Sequence, residues 1–569
     1  MLELALLGCV CFLAIRHWLG LVNLSPDSTT YITASNNWLQ TGRLFYFVNA
    51  ASWSMEPEVE PYTEQPPGFV YYLAPFVAIL GEPIDAALVA QGAAIVLFFV
   101  GLQLILRRLG IGPVLRIAGL FIFASLAPFV ELRSFLWSET LFIAVSFATG
   151  WAAIRLLHGD RRPSDWLWLL GLLAASSCIR LVGVANIAWI LPILLRRRSL
   201  RAGLRLLSHR LAYTGLALGG LAAAVLFLLA DFLGLGSRGG IGPTQLMGMG
   251  LSVGALLLGA GTYVLVRTGQ IRPWSASRDA GVGGADLWPV AAVGASLLPV
   301  FLWFLRNQIL FGAFSLTNKP FEVFHRENLG APFSYVLDEI LDLHLLPGTI
   351  AGVVSLAFLV APFFIGPAQR RAAHASLAAA GLAQFAAVWI PSLASQISDL
   401  GGRLLSPTIA LMILAALHGV QTTLESLSPR KWAPAVLLLP FVFLVLGEDI
   451  VPGELLSFPG RVNYPVEMGL WRELHQIEWV QQSTHFFSDR DFVHQIFAGM
   501  PERIFWDTSV LRDPQAVGAL LGTGRGPFIL LRRGSWEAGA VEELMASGQV
   551  PLEMTTFPEY GFVLFRPPD

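Results

Sequence analysis

The feature that most constrains the fold of this chain is a series of long apolar runs that recurs from end to end. A helix needs roughly 20 apolar residues to cross a bilayer, so repeated runs of this length predict repeated membrane spans. Only 13% of the 569 residues are charged, which fits such a protein. We therefore predict an all-α polytopic membrane protein. About thirteen spans are expected, over residues 2–21, 83–106, 111–130, 136–157, 164–181, 182–196, 211–235, 248–267, 287–305, 346–366, 373–391, 403–421 and 432–448.

The arginines predict the orientation of these spans, because Lys and Arg are enriched in cytoplasmic loops. The short run 66–80 opens with two prolines and is predicted not to cross. The main arginine clusters then share one side, and the N-terminus is cytoplasmic. This side would hold Arg107–Arg108, Arg161–Arg162, Arg196–Arg198, Arg370–Arg371 and Arg430–Lys431. Met1–Val22 is interpreted as a retained span rather than a cleaved signal. Short connections and an Arg-rich, Lys-poor composition favour a bacterial inner (plasma) membrane as the location.

Two domains follow from this topology. Residues 1–448 form the transmembrane domain, and their first outer loop, 22–82, carries helices that lie beside the membrane. Residues 449–569 are less hydrophobic and lie outside, in the periplasm. In this tail 526–533 and 561–568 are typical of strands, and 536–548 of a helix. A small C-terminal α/β domain is therefore expected.

Polar residues gather at the outer ends of spans that are far apart in sequence. Charges near apolar spans are costly, so each needs a physical reason. The group is Asp27, Arg133, Glu139, Arg180, Arg306, Asn307, Lys319 and Arg403. Their concentration at one depth predicts a single cavity that opens outward.

Each of these residues also has a purely structural interpretation. Asp27 follows Ser25, a plausible helix N-cap, and Pro26, so the helix dipole stabilises an acid there whatever its function. Glu139 has Arg133 within reach as an ion-pair partner. The arginines at the span ends are also able to extend to lipid headgroups.

Several function classes are disfavoured. A net charge of −2 argues against a nucleic-acid partner. The three cysteines lie in apolar runs, and the histidines show no zinc-ligand spacing. Neither a Walker loop nor a GxSxG elbow is present. No cofactor is expected, and a divalent metal is considered but not favoured.

An ordered set of motifs resembles a known family. In chain order these are PDSTTYITASNNWLQTG at 26–42, QPPG at 65–68, WSETLF at 137–142, LRNQILFGAFSLTNK at 305–319 and RLLSP at 403–407. Together they resemble the GT-C superfamily of integral membrane glycosyltransferases, over residues 1–450. The most similar branch includes protein O-mannosyltransferases and the transferase that adds aminoarabinose to lipid A.

The resemblance implies a reaction and a set of site residues. Members pass a sugar from a polyprenyl-phosphate donor to an acceptor on the outer face, usually with inversion. Asp27 matches the general base, and Glu139 matches a second acidic position. The implied substrate-binding residues are Tyr31, Gln65, Arg133, Arg180, Arg306, Asn307, Lys319 and Arg403. The acceptor is a glycan, a lipid or a protein, and membrane lipids surround the helices.

The chain also departs from the family pattern. Ser28 replaces a second acid, Gln65 replaces a lysine of the lipid A enzymes, and Leu404 replaces a tyrosine. Two alternatives to a transferase therefore remain. A lipid or solute transporter would show inverted repeats, and none is visible here. A non-catalytic GT-C-like protein would bind a polyprenyl-phosphate sugar without turnover.

Overall fold

The computed structural model describes residues 2–21, 25–48, 58–158 without 64 and 82, 162–196, 288–311, 361–392 without 365, and 402–427. In the C-terminal part it describes 528–566 and short pieces between 470 and 515. The predicted spans 211–235, 248–267 and 432–448, most of span 346–366, and Lys319 lie outside these residues.

The described membrane part is helical. Its α-helices are α1 (Leu2–Leu21), α2 (Pro26–Thr41), α3 (Gly68–Leu80), α4 (Pro83–Arg108), α5 (Pro113–Ser125), α6 (Ala127–Ser134), α7 (Ser138–His158), α8 (Pro163–Ile179), α9 (Leu191–Arg196), α10 (Trp288–Phe311), α11 (Ala368–Ser392) and α12 (Gly402–Leu427). A 3₁₀ helix, Leu181–Ile190, joins α8 to α9, and a 3₁₀ turn, Ala361–Phe363, precedes α11.

Five of the described helices are long and apolar enough to cross a membrane. They are Asp85–Arg108, Ser138–His158, Ala291–Phe311, Ala368–Trp389 and Arg403–Ser426. Helix α4 packs against α7, α11 against α12, and α10 against α8. Their buried faces share one apolar core. The chain is therefore a membrane protein whose described helices form a packed bundle.

Two predicted spans take a different form in the structure. The span predicted over 111–130 is broken, because α5 ends at Ser125 and α6 continues at an angle of 59°. The span predicted over 182–196 is mostly 3₁₀ helix. Within the first loop, strand β2 (Glu58–Pro61) pairs antiparallel with β1 (Phe45–Val48). A proline at the start of α6 favours the break, since proline begins helices more readily than it continues them.

Helix α3 covers the run that was predicted not to cross, and its 13 residues are too few for an ordinary span. It begins at Gly68, whose Cα lies against the end of α8. A Cβ atom built on Gly68 would overlap the carbonyl group of Cys178. The absence of a side chain at this position therefore lets α3 approach the end of α8, close to Arg180.

We expect Gly68→Ala to destabilise the protein. The new methyl group would push α3 away from backbone atoms, and overpacking of this kind costs about 1–3 kcal/mol. Thermal unfolding of the purified protein in detergent measures the effect. Gly92→Ala is the matched control, since a methyl group added there would meet no atom within 4 Å, and alanine in a helix is favoured over glycine. Equal melting temperatures for both variants would contradict this packing argument.

The C-terminal residues include a mixed sheet. Strands β3 (Phe486–Ser488), β4 (Ile504–Phe505), β5 (Phe528–Arg532), β6 (Glu553–Phe557) and β7 (Phe562–Arg566) lie in the order β4-β3-β5-β7-β6. The pairs of β3 with β4 and β5 are parallel, and those of β7 with β5 and β6 are antiparallel. Helix α13 (Trp536–Ala546) is capped by Ser535 and packs on β5. Two of the strands and this helix occupy the residues for which the sequence predicts them.

Candidate active site

The site begins at the first turn of α2. Ser25 is the N-cap, and Pro26 occupies the first helical position, where its missing N–H group has no cost. The side chains of Ser25 and Ser28 cap each other's backbone N–H groups, at 3.4 and 3.0 Å. This capping box starts the helix and places Asp27 in its first turn. The Asp27 side chain keeps 35% of its surface exposed.

A second carboxylate, Glu139, lies in the first turn of α7 and is 1% exposed. It forms ion pairs with Arg180, at the end of α8, and with Arg403, at the start of α12. The Arg403 Nε atom lies 2.5 Å from Glu139 Oε1. A buried carboxylate is stable only when it is paired and hydrogen-bonded, and two guanidinium groups meet this need here.

Arg403 links the two carboxylates. Its Nη2 group donates to Asp27 Oδ2, and its Nε group donates to Glu139. Its guanidinium lies over the ring of Trp137, 4.4 Å from the centroid. Two carboxylates and two arginines therefore form one cluster in which the formal charges cancel. Three separate helices and the end of a fourth contribute to it, and Asp27 is its most exposed member.

Tyr31 extends the cluster by one helical turn. Its hydroxyl donates to Gln65 Oε1 at 2.6 Å and lies 3.2 Å from the Oγ atom of Ser138. Burial, and then the charges of Asp27 and Glu139, raise the pKa of Tyr31 above its usual value. Its hydroxyl therefore stays protonated and is able to donate to Gln65 throughout the physiological pH range.

Arg306 and Asn307 occupy a different place, near the C-terminal end of α10. Arg306 donates to the carbonyl of Tyr62 at 3.2 Å and to Asn307 Oδ1 at 2.8 Å. Asn307 Nδ2 donates to the carbonyl of Thr63 at 3.2 Å. The end of α10 thus holds the segment that leads from β2 to Gln65. The Arg306 guanidinium also lies over Trp303, 4.6 Å from the ring centroid.

Arg133 faces away from the carboxylate cluster. It is 2% exposed, and its guanidinium donates to the carbonyls of Phe123 and Ala124, at the break between α5 and α6. The ion pair between Glu139 and Arg133, left open by the sequence, is replaced by pairs of Glu139 with Arg180 and Arg403. In this structure Arg133 caps a broken helix. Lys319 lies outside the described residues.

Ser138 and Trp137 were missed as members of the site by sequence reasoning, and Ser28 was noted only for the acid that it replaces. Ser138 accepts a hydrogen bond from Arg180 at 3.2 Å and lies beside Tyr31. Trp137 carries Arg403 on its ring. Ser28 donates to the carbonyl of Leu136 at 3.0 Å, so it ties α2 to the segment before α7. The only available signal was the position of Trp137 and Ser138 directly before Glu139 in WSETLF.

Among the residues that the structure describes, no group of three or more His, Cys, Asp or Glu side chains has the arrangement of a metal site. Both carboxylates of the cluster face guanidinium groups instead. The cluster therefore presents Asp27 as its most exposed carboxylate, with the guanidinium groups of Arg180 and Arg403 around the two acids.

Comparisons with known proteins identify the fold. No protein-family model matches the chain, and no curated protein matches it. The crystal structure of ArnT from Cupriavidus metallidurans bound to undecaprenyl phosphate is similar, with 12% identity, a TM-score of 0.51, and coverage of 99% of this chain and 97% of that chain. The archaeal oligosaccharyltransferase AglB from Archaeoglobus fulgidus, in complex with an inhibitory peptide and a dolichol-phosphate, has 11% identity, a TM-score of 0.47, and coverage of 99% and 74%.

Proposed function

We propose that this chain, which has the GT-C fold of ArnT, is a membrane glycosyltransferase that moves a sugar from a polyprenyl-phosphate donor to an acceptor on the outer face of the membrane. The observation that carries the proposal is the partly exposed Asp27, held by Arg403 within the carboxylate cluster. The crystallised complex of ArnT with undecaprenyl phosphate supports a lipid-phosphate donor. The acceptor would be a glycan, a lipid or a protein.

In the proposed reaction Asp27 is the general base. An acceptor hydroxyl or amine attacks the anomeric carbon of the donor sugar, and Asp27 takes the proton from the attacking group. The bond between the anomeric carbon and the phosphate oxygen breaks on the opposite face. The products are a glycosylated acceptor with inverted configuration and a free polyprenyl phosphate. Arg403 holds the Asp27 carboxylate in place before the acceptor arrives.

The leaving phosphate needs cations, because its negative charge grows in the transition state. Arg180 and Arg403 are already compensated by Asp27 and Glu139. Within the described residues, Arg306 forms no ion pair with a carboxylate, and backbone and amide oxygens accept its hydrogen bonds. Arg306 is therefore the residue to which we assign the donor phosphate. Asn307 would hold Arg306 in place, and Lys319 remains a further candidate.

Arg306→Ala should weaken donor use. Loss of a charged hydrogen bond corresponds to about 1.5–3 kcal/mol, so we expect kcat/KM for the donor to fall roughly 10- to 100-fold. Part of this loss should appear in kcat, because the phosphate charge grows in the transition state. Steady-state transfer at varied donor concentration measures this. Arg306→Lys should recover part of the loss. Arg107→Ala is the control, since Arg107 lies in the last turn of α4 and pairs with Glu3. An unchanged kcat/KM for the donor in Arg306→Ala would assign Arg306 a structural role only.

The function itself is tested with purified protein in lipid nanodiscs and a panel of radiolabelled undecaprenyl-phosphate sugars. Transfer of label from one panel member to a membrane-extract acceptor, together with its loss in Asp27→Asn, supports a transferase. Binding of panel members without release of undecaprenyl phosphate would favour a non-catalytic GT-C-like protein. Movement of the intact lipid between leaflets would favour a transporter.

The proposed arrangement has a membrane domain of residues 1–448 in the inner membrane and an outer domain of residues 449–569. With the N-terminus in the cytoplasm, the cluster around Asp27 faces outward. Single cysteines introduced into the loop 22–82 and the C-terminal sheet should then react with an impermeant maleimide in intact spheroplasts. Labelling only after lysis would show that these segments face the cytoplasm, opposite to the proposed orientation.

A further inference from the structure

Trp137 lies in the short non-helical segment between α6 and α7. It contacts Arg403, the ion-pair partner of Asp27, and Ser25, the N-cap of the helix that carries Asp27. Its indole Nε1 group donates to the Oγ atom of Ser25 at 2.8 Å. Its ring carries the guanidinium of Arg403, 4.4 Å from the centroid. The side chain is 6% exposed and stacks on Phe135, with centroids 4.2 Å apart and planes 5° apart. Trp137 is thus held rigidly between the helix that carries Asp27 and the arginine that pairs with it.

The first contact acts on the start of α2. Ser25 is the N-cap, two residues before Asp27, and its Oγ atom also takes part in the capping box with Ser28. The neighbouring carbonyl of Leu136 accepts a hydrogen bond from Ser28 at 3.0 Å. One hydrogen bond donated by Trp137 and one accepted by Leu136 therefore fix the first turn of α2. A shift of that first turn would move Asp27 with it.

The second contact acts on the plane of the guanidinium. Arg403 meets Asp27 through Nη2 and Glu139 through Nε, so both bonds depend on the orientation of one flat group. A guanidinium over an aromatic ring is attracted by the negative charge of the ring face, and the ring also restricts the plane that the group adopts. Asp27 and Glu139 neutralise the charge of Arg403. Trp137 restricts the plane of the guanidinium and leaves its charge unchanged.

We propose that Trp137 is a positioning residue for the transfer reaction, which sets the direction of the Asp27 carboxylate through Ser25 and Arg403 together. This inference rests on the proposed function. Trp137 would align Asp27 with the attacking acceptor group. The donor lipid would be bound by other residues, such as Arg306. Effects of alignment appear in kcat, because a base displaced by about 1 Å loses up to roughly 100-fold in rate while the substrate still binds.

The test compares three variants of the full-length protein. Trp137→Leu removes the indole N–H and the ring face, while Trp137→Phe removes the N–H and keeps an aromatic face. Trp166→Leu is the matched control, since Trp166 in α8 is a buried tryptophan like Trp137, with 2% of its surface exposed. Transfer from the undecaprenyl-phosphate sugar that the wild type uses gives kcat and donor KM separately.

We expect kcat of Trp137→Leu to fall roughly 100-fold, with donor KM within about threefold of the wild type. The kcat of Trp137→Phe should lie between those of the wild type and Trp137→Leu. We expect a loss of roughly tenfold, which is about the effect of one hydrogen bond. Trp166→Leu should keep kcat while losing thermal stability. A wild-type kcat in Trp137→Leu, or an equal loss of kcat in Trp166→Leu, would overturn the inference.

A second measurement needs no turnover. Phenylglyoxal modifies accessible arginines, and peptide mass spectrometry gives the rate at Arg403. We expect this rate to rise roughly fivefold in Trp137→Leu and to stay at the wild-type value in Trp137→Phe and Trp166→Leu. An unchanged rate in Trp137→Leu would refute the role of the ring. If no panel sugar is transferred by the wild type, the proposed function fails, and this rate still decides whether Trp137 holds Arg403.

Discussion

Asp27→Asn should abolish sugar transfer. The amide keeps the shape of the side chain and its place in the first turn of α2, but it is unable to accept the proton of the attacking hydroxyl or amine. General-base catalysis contributes roughly 10²- to 10⁴-fold, so we expect kcat to fall by about a thousandfold or more. Donor binding should persist, because the assigned phosphate contact lies at Arg306. Release of undecaprenyl phosphate from the donor, followed over time, measures the effect.

Loss of fold would be an alternative cause of inactivity, and the control addresses it. Asp85 is also an acid in the first turn of a helix, α4. Asp85→Asn therefore removes the same favourable interaction with a helix dipole, about 0.3–1 kcal/mol, without touching the cluster. Asp85→Asn should unfold at a temperature close to that of the wild type. Asp27→Asn should lose slightly more, about 0–1 kcal/mol, because its ion pair with Arg403 is partly exposed and Glu139 still compensates Arg403. Transfer by Asp27→Asn at the wild-type rate would refute the role of Asp27 as base.

Glu139→Gln should cause a large loss of stability. The carboxylate is 1% exposed and is shared by Arg180 and Arg403. A neutral amide would leave two guanidinium groups close together with only Asp27 as a counter-charge. Removal of one member of a buried ion pair costs about 3–5 kcal/mol, since the remaining charge stays buried without its partner. Thermal or denaturant unfolding in detergent gives the change in the free energy of unfolding.

Two further variants define this effect. Glu425→Gln removes a carboxylate whose side chain is 44% exposed and which pairs with Arg370. A solvent-exposed pair contributes about 0–1 kcal/mol, so this control should lose little. The double variant Glu139→Gln with Arg180→Gln removes one charge of each sign and should recover part of the lost stability. A loss in Glu139→Gln no greater than in Glu425→Gln would contradict the arrangement of the cluster.

Local features of the fold could be predicted from the sequence. The start of α2 is an example, because Ser25, Pro26 and Ser28 determine a helix N-terminus through contacts within four residues. Helices α7 and α8 also begin close to their predicted positions, at Ser138 and Pro163. Long apolar runs specify such helices directly. The break at Ser125 was missed, since the apolar run continues through it without a change in composition.

The candidate site could be predicted only in part. The family resemblance named Asp27, Glu139, Tyr31, Gln65, Arg180 and Arg403, and the structure brings these six residues into one network. Arg133, which belonged to the same prediction, lies instead at the break between α5 and α6. From the positions of the charged residues in the chain, one can predict at which end of a helix each of them lies. It gives no information about which cation faces which carboxylate.

The sequence by itself determined that this chain is a helical membrane protein and that α2 begins with an acid in its first turn. Both properties depend on interactions that are local in the chain or made with lipid and water. Only the tertiary structure decided that Arg403 bridges Asp27 and Glu139, and that Trp137 holds both the guanidinium and the start of α2. The reason is physical. These contacts join residues up to 376 positions apart, and their geometry is set by the packing of helices, which no local pattern encodes.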